Sequence, residues 1–130
     1  MTAPAGSLEG VRVLLVDDEP AVRRPLGRFL RRRGAHVREA ANGAEALAAL
    51  AQGPSDLIVA DLRMPGMDGA ALHRALQATD SAAAERMLFL SGDVDHLAEL
   101  DLGGIAPSRI LPKPIELAEF ERFLLQHVRI

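Results

Sequence analysis

The sequence lacks several features, and each absence excludes a kind of site or a class of protein. The 130 residues contain no cysteine, which excludes disulfides, thiolate metal sites and cysteine nucleophiles. No apolar run approaches the roughly 20 residues that a membrane-spanning helix needs. The first ten residues lack the basic start and apolar stretch of a signal peptide. The formal net charge is only -3, so a nucleic-acid footprint is not indicated. We therefore expect a cytoplasmic protein without direct nucleic-acid binding or membrane insertion.

Lysine is nearly absent as well. Of the fifteen Lys and Arg residues, only Lys113 is a lysine. Because arginine supplies every other side-chain cation of this kind, Lys113 is a candidate functional group.

Short apolar runs alternate with segments of helical periodicity along the chain. The predicted strands cover residues 11–16, 36–40, 56–60, 87–90 and 109–111. The first two helices follow the first two strands, and the others are predicted at about residues 70–79, 94–102 and 115–128. This alternation predicts an α/β fold with a parallel sheet covered on both faces. The length predicts one domain (residues 11–130) after a flexible tail or linker (residues 1–10).

Polar residues with complementary charges follow four of the predicted strands. Asp17 and Asp18 follow the first strand, Asp61 the third and Ser91 the fourth, while the fifth leads to Lys113. The carboxyl ends of parallel strands share one edge, so these side chains are expected to meet there. Three carboxylates brought together need a compensating cation, and Mg²⁺ prefers oxygen ligands. An ammonium cannot ligate a metal, so Lys113 is suited to an anion.

This set of residues is suited to phosphoryl transfer onto Asp61. Attack by Asp61 would give an acyl phosphate, whose oxygens the metal and Lys113 would neutralise while Ser91 donates a hydrogen bond. Taken one at a time, these residues have plainer interpretations as helix caps, a turn, a loop and a surface charge. Their common position at strand ends favours the functional interpretation.

Four stretches give the chain a family resemblance. They are "LLVDDEP", "DLIVADLRMPGMDG", "LFLSG" and "ILPKP", in this order along the sequence. Together they resemble the receiver domain of bacterial two-component response regulators. The resemblance implies a doubly wound, flavodoxin-like sheet of five parallel strands in the order 2-1-3-4-5, with helices on both faces. It also implies a partner that donates the phosphoryl group, either a sensor histidine kinase or a histidine phosphotransfer protein.

The resemblance also implies a role for each candidate residue. Asp61 would accept the phosphoryl group from a phosphohistidine, Ser91 would be the switch hydroxyl, and Lys113 would contact the phosphate through a loop with a cis Lys113–Pro114 peptide. The implied Mg²⁺ ligands are Asp18, Asp61 and the backbone carbonyl of Arg63, with Asp17 acting through water. Gly69 would give the loop after Asp61 its tight path. Such a domain would not be an enzyme in isolation, although it would assist its own phosphorylation and dephosphorylation.

Two features depart from the family pattern. Ile110 occupies a position where receivers usually carry Phe or Tyr, so an aromatic switch is not expected. The stretch "GGIAPSR" is irregular and suggests a short fourth helix. A homodimer through the fourth helix, fifth strand and fifth helix is a further expectation of the resemblance. A separate hypothesis is that Arg63 and Asp93 pair across the mouth of the site and control access of water to the acyl phosphate.

Two other functions remain open on the sequence. One is a Mg²⁺-dependent phosphatase of the haloacid-dehalogenase type. That family, however, has one residue between its two aspartates, whereas Asp17 and Asp18 are adjacent. The other is an inactive, receiver-shaped interaction module, although both Asp61 and Lys113 are present. Within the receiver interpretation, we favour the receiver segment of a hybrid sensor histidine kinase over a stand-alone regulator.

Overall fold

A five-stranded parallel sheet forms the centre of the molecule. The computed structural model describes residues 7–64, 66–92 and 105–128. The strands are β1 (Arg12–Val16), β2 (His36–Ala40), β3 (Leu57–Asp61), β4 (Met87–Ser91) and β5 (Ile110–Pro112). Their order across the sheet is β2-β1-β3-β4-β5, and every neighbouring pair is parallel. The predicted order and fold class are therefore confirmed.

Helices connect the strands. They are α1 (Pro20–Arg32), α2 (Gly43–Gln52), α3 (Gly69–Thr79), α4 (Ser81–Ala84) and α5 (Leu117–His127), and a 3₁₀ turn (Pro107–Arg109) precedes β5. The four-residue α4 is not predicted, since a single turn is too short to show helical periodicity. Its cap is local, with the Asp80 side chain accepting a hydrogen bond from the Ala83 amide. The helix predicted at residues 94–102 lies outside the described residues.

Successive residues of the central strands face opposite sides of the sheet, as a strand requires. In β1, Leu14 packs with α2 and α3 residues on one side, while Leu15 packs with α1 and α5 residues on the other. The two clusters explain why β1, β3 and β4 read as continuous apolar runs rather than as an alternating pattern. Burying one leucine side chain contributes roughly 1.5–3 kcal/mol. Leu8 is also buried, at 2% exposure, so packing begins ahead of the predicted boundary at residue 11.

A glycine caps the end of α1. Gly34 adopts a φ of 87°, the Gly34 amide donates to Arg31 O, and the Ala35 amide donates to Leu30 O. These are the two hydrogen bonds of a Schellman motif, which needs a residue in the left-handed region at this position. Pro25 is accommodated inside α1. The cap turns the chain directly into β2, the edge strand beside β1.

Candidate functional site

The carboxyl ends of β1, β3, β4 and β5 lie at one edge of the sheet. Val16 is level with Ala60, Asp61 with Leu90, and Ser91 with Pro112. The residues that end each strand are therefore brought side by side by the strand register alone. We call this group of strand ends and their loops the carboxyl-edge site.

Lys113 contacts Asp61 in the carboxyl-edge site. Its Nζ lies 2.6 Å from Asp61 Oδ2 and 3.9 Å from Asp17 Oδ2. The other oxygen of Asp61, Oδ1, accepts a hydrogen bond from the Arg63 amide at 3.0 Å. The predicted cis peptide between Lys113 and Pro114 is present. A cation and two carboxylates from three separate loops thus meet as the sequence predicts.

Asp17 is the most deeply buried of the three aspartates at the strand ends. It is 3% exposed, and its Oδ1 accepts a hydrogen bond from the Glu19 amide at 3.0 Å. Its Oδ2 is buried and has no hydrogen-bond partner in the described part of the chain. A buried carboxylate oxygen without a donor is costly, so this atom is one that a cation or a water molecule would satisfy.

The charges of the site influence one another. Burial raises the pKa of Asp17; the Glu19 amide and Lys113 oppose the rise, and the charges of Asp61 and Asp18 add to it. Burial would lower the pKa of Lys113, but the hydrogen bond and charge of Asp61 and the charge of Asp17 outweigh it, and the pKa is raised. Asp18 itself is exposed. Asp17 is therefore close enough to both Asp61 and Asp18 to respond to their charges.

Ser91 and Gly69 shape the walls of the site. Ser91 is 2% exposed, and its backbone carbonyl accepts the Lys113 amide at 2.7 Å, which links the serine to the lysine loop. A Cβ on Gly69 would lie 2.5 Å from Asp61 O, closer than real Cβ atoms approach. The predicted tight path after Asp61 therefore has a physical cause, because the start of α3 packs against the Asp61 backbone.

Two other sequence predictions have different outcomes. Ile110 is buried, with 9% of its surface exposed, and lies level with Phe89 of β4. The position that carries an aromatic ring in receivers is thus filled by an aliphatic core residue. Asp93 lies outside the described residues, so the proposed pair with Arg63 stays a hypothesis.

Arg23 of α1 also reaches the site, although no motif in the sequence marks it. Its Nη1 donates to the backbone carbonyl of Asp17 at 2.6 Å, and its Nε donates to Glu39 of β2 at 3.0 Å. Only the three-dimensional arrangement shows this contact, because an arginine on a helix that contains several arginines has no distinguishing pattern.

The donor set fits a hard divalent cation. The carboxyl-edge site offers carboxylate oxygens, which Mg²⁺ prefers, and one of them, Asp17 Oδ2, is buried without a hydrogen bond from any described residue. Among the described residues, no three histidine or acidic side chains already form a group that could hold a metal ion. In this arrangement Lys113 is bound to Asp61 instead. Asp17, Asp18, Asp61 and the Arg63 carbonyl remain the predicted ligands.

The fold and the carboxyl-edge site together define a doubly wound α/β domain with an acid-and-lysine site at the strand ends. Residues 13–124 match the family model of the response regulator receiver domain. The chain belongs to this family, whose members act in two-component systems.

Individual relatives agree with this assignment. The chain is 33% identical over 127 residues to the transcriptional activator protein PfeR of Pseudomonas aeruginosa. This alignment covers 95% of the chain and 41% of PfeR. It thus spans less than half of that relative. The receiver domain of the hybrid histidine kinase CckA is 35% identical, with a TM-score of 0.73 over 91% of this chain and 99% of that one. The response regulator TrrA of Thermotoga maritima, solved in complex with Mg²⁺-BeF, is 27% identical, with a TM-score of 0.78 over 91% and 99% of the two chains.

In the part of the chain that the structure describes, no helix is long and apolar enough to span a lipid bilayer.

Proposed function

We propose that this receiver domain accepts a phosphoryl group on Asp61, from a phosphohistidine of a sensor histidine kinase or a histidine phosphotransfer protein. The observation that carries the proposal is the contact between Lys113 Nζ and Asp61 Oδ2 at 2.6 Å, beside the buried Asp17 carboxylate. This contact supports the proposal, because it leaves the Asp61 carboxylate next to a cation that could meet the incoming phosphoryl oxygens.

In the proposed reaction, a carboxylate oxygen of Asp61 attacks the phosphorus. The O–P bond forms as the P–N bond to the donor imidazole breaks, and the imidazole leaves with its electron pair and takes up a proton. Lys113 then exchanges its contact with the Asp61 carboxylate for a contact with a phosphoryl oxygen, and the Ser91 hydroxyl donates to another. Positioning and charge neutralisation are the main requirements of such a transfer.

Mg²⁺ is part of the proposal. Asp18, Asp61 and the Arg63 carbonyl would hold it directly, and Asp17 through water. When bound, it supplies positive charge that neutralises the phosphoryl oxygens and the clustered acids. TrrA, a receiver-like relative, was solved with Mg²⁺-BeF, which supports a site of this kind here.

The chain corresponds to one segment of its longer relatives. It spans 41% of PfeR, and its similarity to a receiver domain of a hybrid histidine kinase covers 99% of that domain. We propose that it acts as the receiver segment of a hybrid kinase, in the cytoplasm. In that setting Asp61 would be phosphorylated once per signalling event rather than turn over a substrate.

Incubation with acetyl phosphate and Mg²⁺, followed by intact mass measurement, tests the proposal. We expect one phosphoryl group per chain in the wild type, and no adduct without Mg²⁺. Asp61→Asn, a nearly isosteric variant without the nucleophilic carboxylate, should gain none. Absence of an adduct in the wild type, or an equal adduct in Asp61→Asn, would refute it.

Two further measurements separate the other candidate functions. Sustained release of phosphate from p-nitrophenyl phosphate would instead indicate a phosphatase of the haloacid-dehalogenase type. Failure to bind beryllofluoride in the presence of Mg²⁺ would instead indicate an inactive interaction module.

A further inference from the structure

We infer that Arg23 is a positioning residue for the acidic loop (residues 17–19), and that Glu39 of β2 holds Arg23 in place. Neither residue is among the metal ligands proposed above. The inference rests on the proposed function, because it concerns how the acidic loop is prepared for a divalent cation. It predicts that metal affinity depends on a salt bridge between α1 and the edge strand.

The guanidinium of Arg23 joins three elements. Nη1 donates to Asp17 O at 2.6 Å and Nε donates to Glu39 Oε1 at 3.0 Å. One rigid, planar group therefore connects α1, the end of β1 and the end of β2. The fork geometry of arginine makes both contacts compatible, which a lysine could not reproduce.

Arg23 completes the fixing of Asp17. The Asp17 amide donates to Ala40 O at 3.1 Å, the Asp17 carbonyl accepts from Arg23, and Oδ1 accepts from the Glu19 amide. Three of the four polar atoms of Asp17 thus have a hydrogen-bond partner. The fourth, Oδ2, is buried without a hydrogen bond in the described part of the chain and forms an ion pair with Lys113 Nζ at 3.9 Å. The loop is held so that this one oxygen faces the carboxyl-edge site.

Glu39 is in turn held by a second arginine. Its Oε2 accepts from Arg31 Nη2 at 3.2 Å, and Arg31 Nη2 also donates to Val37 O at 3.2 Å. Gly27 leaves the space for this pair, since a Cβ there would lie 3.2 Å from Glu39 Oε2. The carboxylate thus has a cation on each oxygen.

The burial of the pair separates it from an ordinary surface contact. The side chains of Arg23 and Glu39 are 11% and 22% exposed, whereas those of Arg12 and Asp56, at the other end of β1, are 51% and 39% exposed. Partly buried charged hydrogen bonds are stronger and less screened than exposed ones. The Arg23–Glu39 pair can therefore hold the acidic loop, and the Arg12–Asp56 pair provides a matched comparison.

Direct binding of Mn²⁺, followed by the electron paramagnetic resonance signal of the free ion, tests the inference without any phosphorylation. The variants are Arg23→Gln and Glu39→Gln, together with the double variant. We expect Arg23→Gln to raise the Kd for Mn²⁺ about tenfold, as is typical for residues that support metal ligands. Glu39→Gln should raise it less, because a glutamine can still accept one hydrogen bond from Arg23.

The double variant distinguishes positioning from general damage. If Glu39 acts through Arg23, adding Glu39→Gln to Arg23→Gln should change the Kd no further. Arg12→Gln should leave the Kd unchanged although it also removes an arginine–aspartate pair tied to β1. Circular dichroism checks that each variant is folded. If Arg23→Gln does not fold, the Kd of Glu39→Gln for Mn²⁺ tests the inference instead.

The outcomes separate this inference from the proposed function. A wild type that binds Mn²⁺, with Arg23→Gln and Glu39→Gln binding equally well, would refute the positioning role and leave the proposed function intact. If Arg12→Gln weakens Mn²⁺ binding as much as Arg23→Gln does, the positioning role is also refuted. The loss of affinity would then follow from removing any arginine–carboxylate pair next to β1. A wild type that binds no divalent cation would refute both.

Discussion

Lys113 Nζ and Asp61 Oδ2 lie 2.6 Å apart although the two residues are 52 positions apart in the chain. Two features combine to bring them together. β3 ends at Asp61, and β5 leads to Lys113 two strands away at the same edge of the sheet. The ammonium neutralises a carboxylate that is only 6% exposed.

Removing the Lys113 ammonium should make the protein less stable. Lys113→Met leaves the Asp61 and Asp17 carboxylates without their nearest cation, and we expect it to lower the free energy of unfolding by about 1–3 kcal/mol. Mg²⁺ should then raise the melting temperature of Lys113→Met more than that of the wild type, because uncompensated acids gain more from a cation. Thermal unfolding with and without Mg²⁺ measures both effects.

Lys113→Arg serves as the control, since it keeps the charge. It should lie between the wild type and Lys113→Met in stability. The prediction fails if Lys113→Met is as stable as the wild type in the absence of Mg²⁺.

The sequence predicts the elements that local chemistry determines. Buried parallel strands are continuous apolar runs, so the sequence indicates β1, β3 and β4, and the polar residues that end these strands are expected to share an edge. This pattern identifies Asp17, Asp61 and Ser91. The strand order follows from the family resemblance rather than from the periodicity.

The remaining features depend on contacts that leave no local pattern. The Arg23–Glu39 pair joins residues 16 positions apart, and nothing in the sequence separates Arg23 from its neighbour Arg24. The short helix α4 has too few residues for a periodic signal, and Leu8 is buried by tertiary packing rather than by an element of its own. These features follow from the fold, so they could be recognised only after it.

Gly69 should be intolerant of a side chain. In Gly69→Ala the new Cβ would meet Asp61 O at 2.5 Å and Asp61 C at 3.0 Å, and neither backbone atom can rotate away. We expect a loss of about 1–3 kcal/mol in the free energy of unfolding, as for overpacked sites, with slower phosphorylation by acetyl phosphate. Urea unfolding and intact mass over time measure the two effects.

Gly53→Ala is the matched control. A Cβ on Gly53 would meet nothing within 4 Å, and its φ of 173° is extended backbone. This substitution should leave the phosphorylation rate unchanged and leave stability unchanged or slightly higher. Equal behaviour of the two alanine variants would contradict the steric argument.

Arg38 should matter for stability rather than for phosphorylation. Its guanidinium donates to Ala49 O at 2.6 Å, to Gly53 O at 2.8 Å and to Ser55 Oγ at 2.9 Å, so it caps the end of α2. Arg38→Met should lower the free energy of unfolding by about 1–3 kcal/mol, because these acceptors lose a charged donor. Urea unfolding measures the change, and Arg24→Met at an exposed position of α1 is the control. A Kd for Mn²⁺ that rises in Arg38→Met would contradict the separation of the two roles.

His73 should make the protein less stable in mild acid. The residue is 8% exposed, its ring packs edge-on against Phe89, and its Nδ1 has no hydrogen-bond partner among the described residues. Burial lowers its pKa, and the charges of Arg109 and Arg74 lower it further. The unfolded chain therefore binds the proton more tightly than the folded one. Stability should fall as the pH drops through about 6.5, the ordinary histidine value, and continue to fall until the folded-state pKa is reached.

Urea unfolding between pH 8 and pH 5 provides the measurement. His73→Leu removes the titrating ring together with its buried Nδ1. The free energy of unfolding of this variant should therefore fall less between pH 8 and pH 5 than that of the wild type. The slope attributable to His73 is at most about 1.4 kcal/mol per pH unit, because a single proton is involved. Wild type and His73→Leu showing the same slope across this range would mean that the buried imidazole does not resist protonation. The fall in stability would then have to come from other groups.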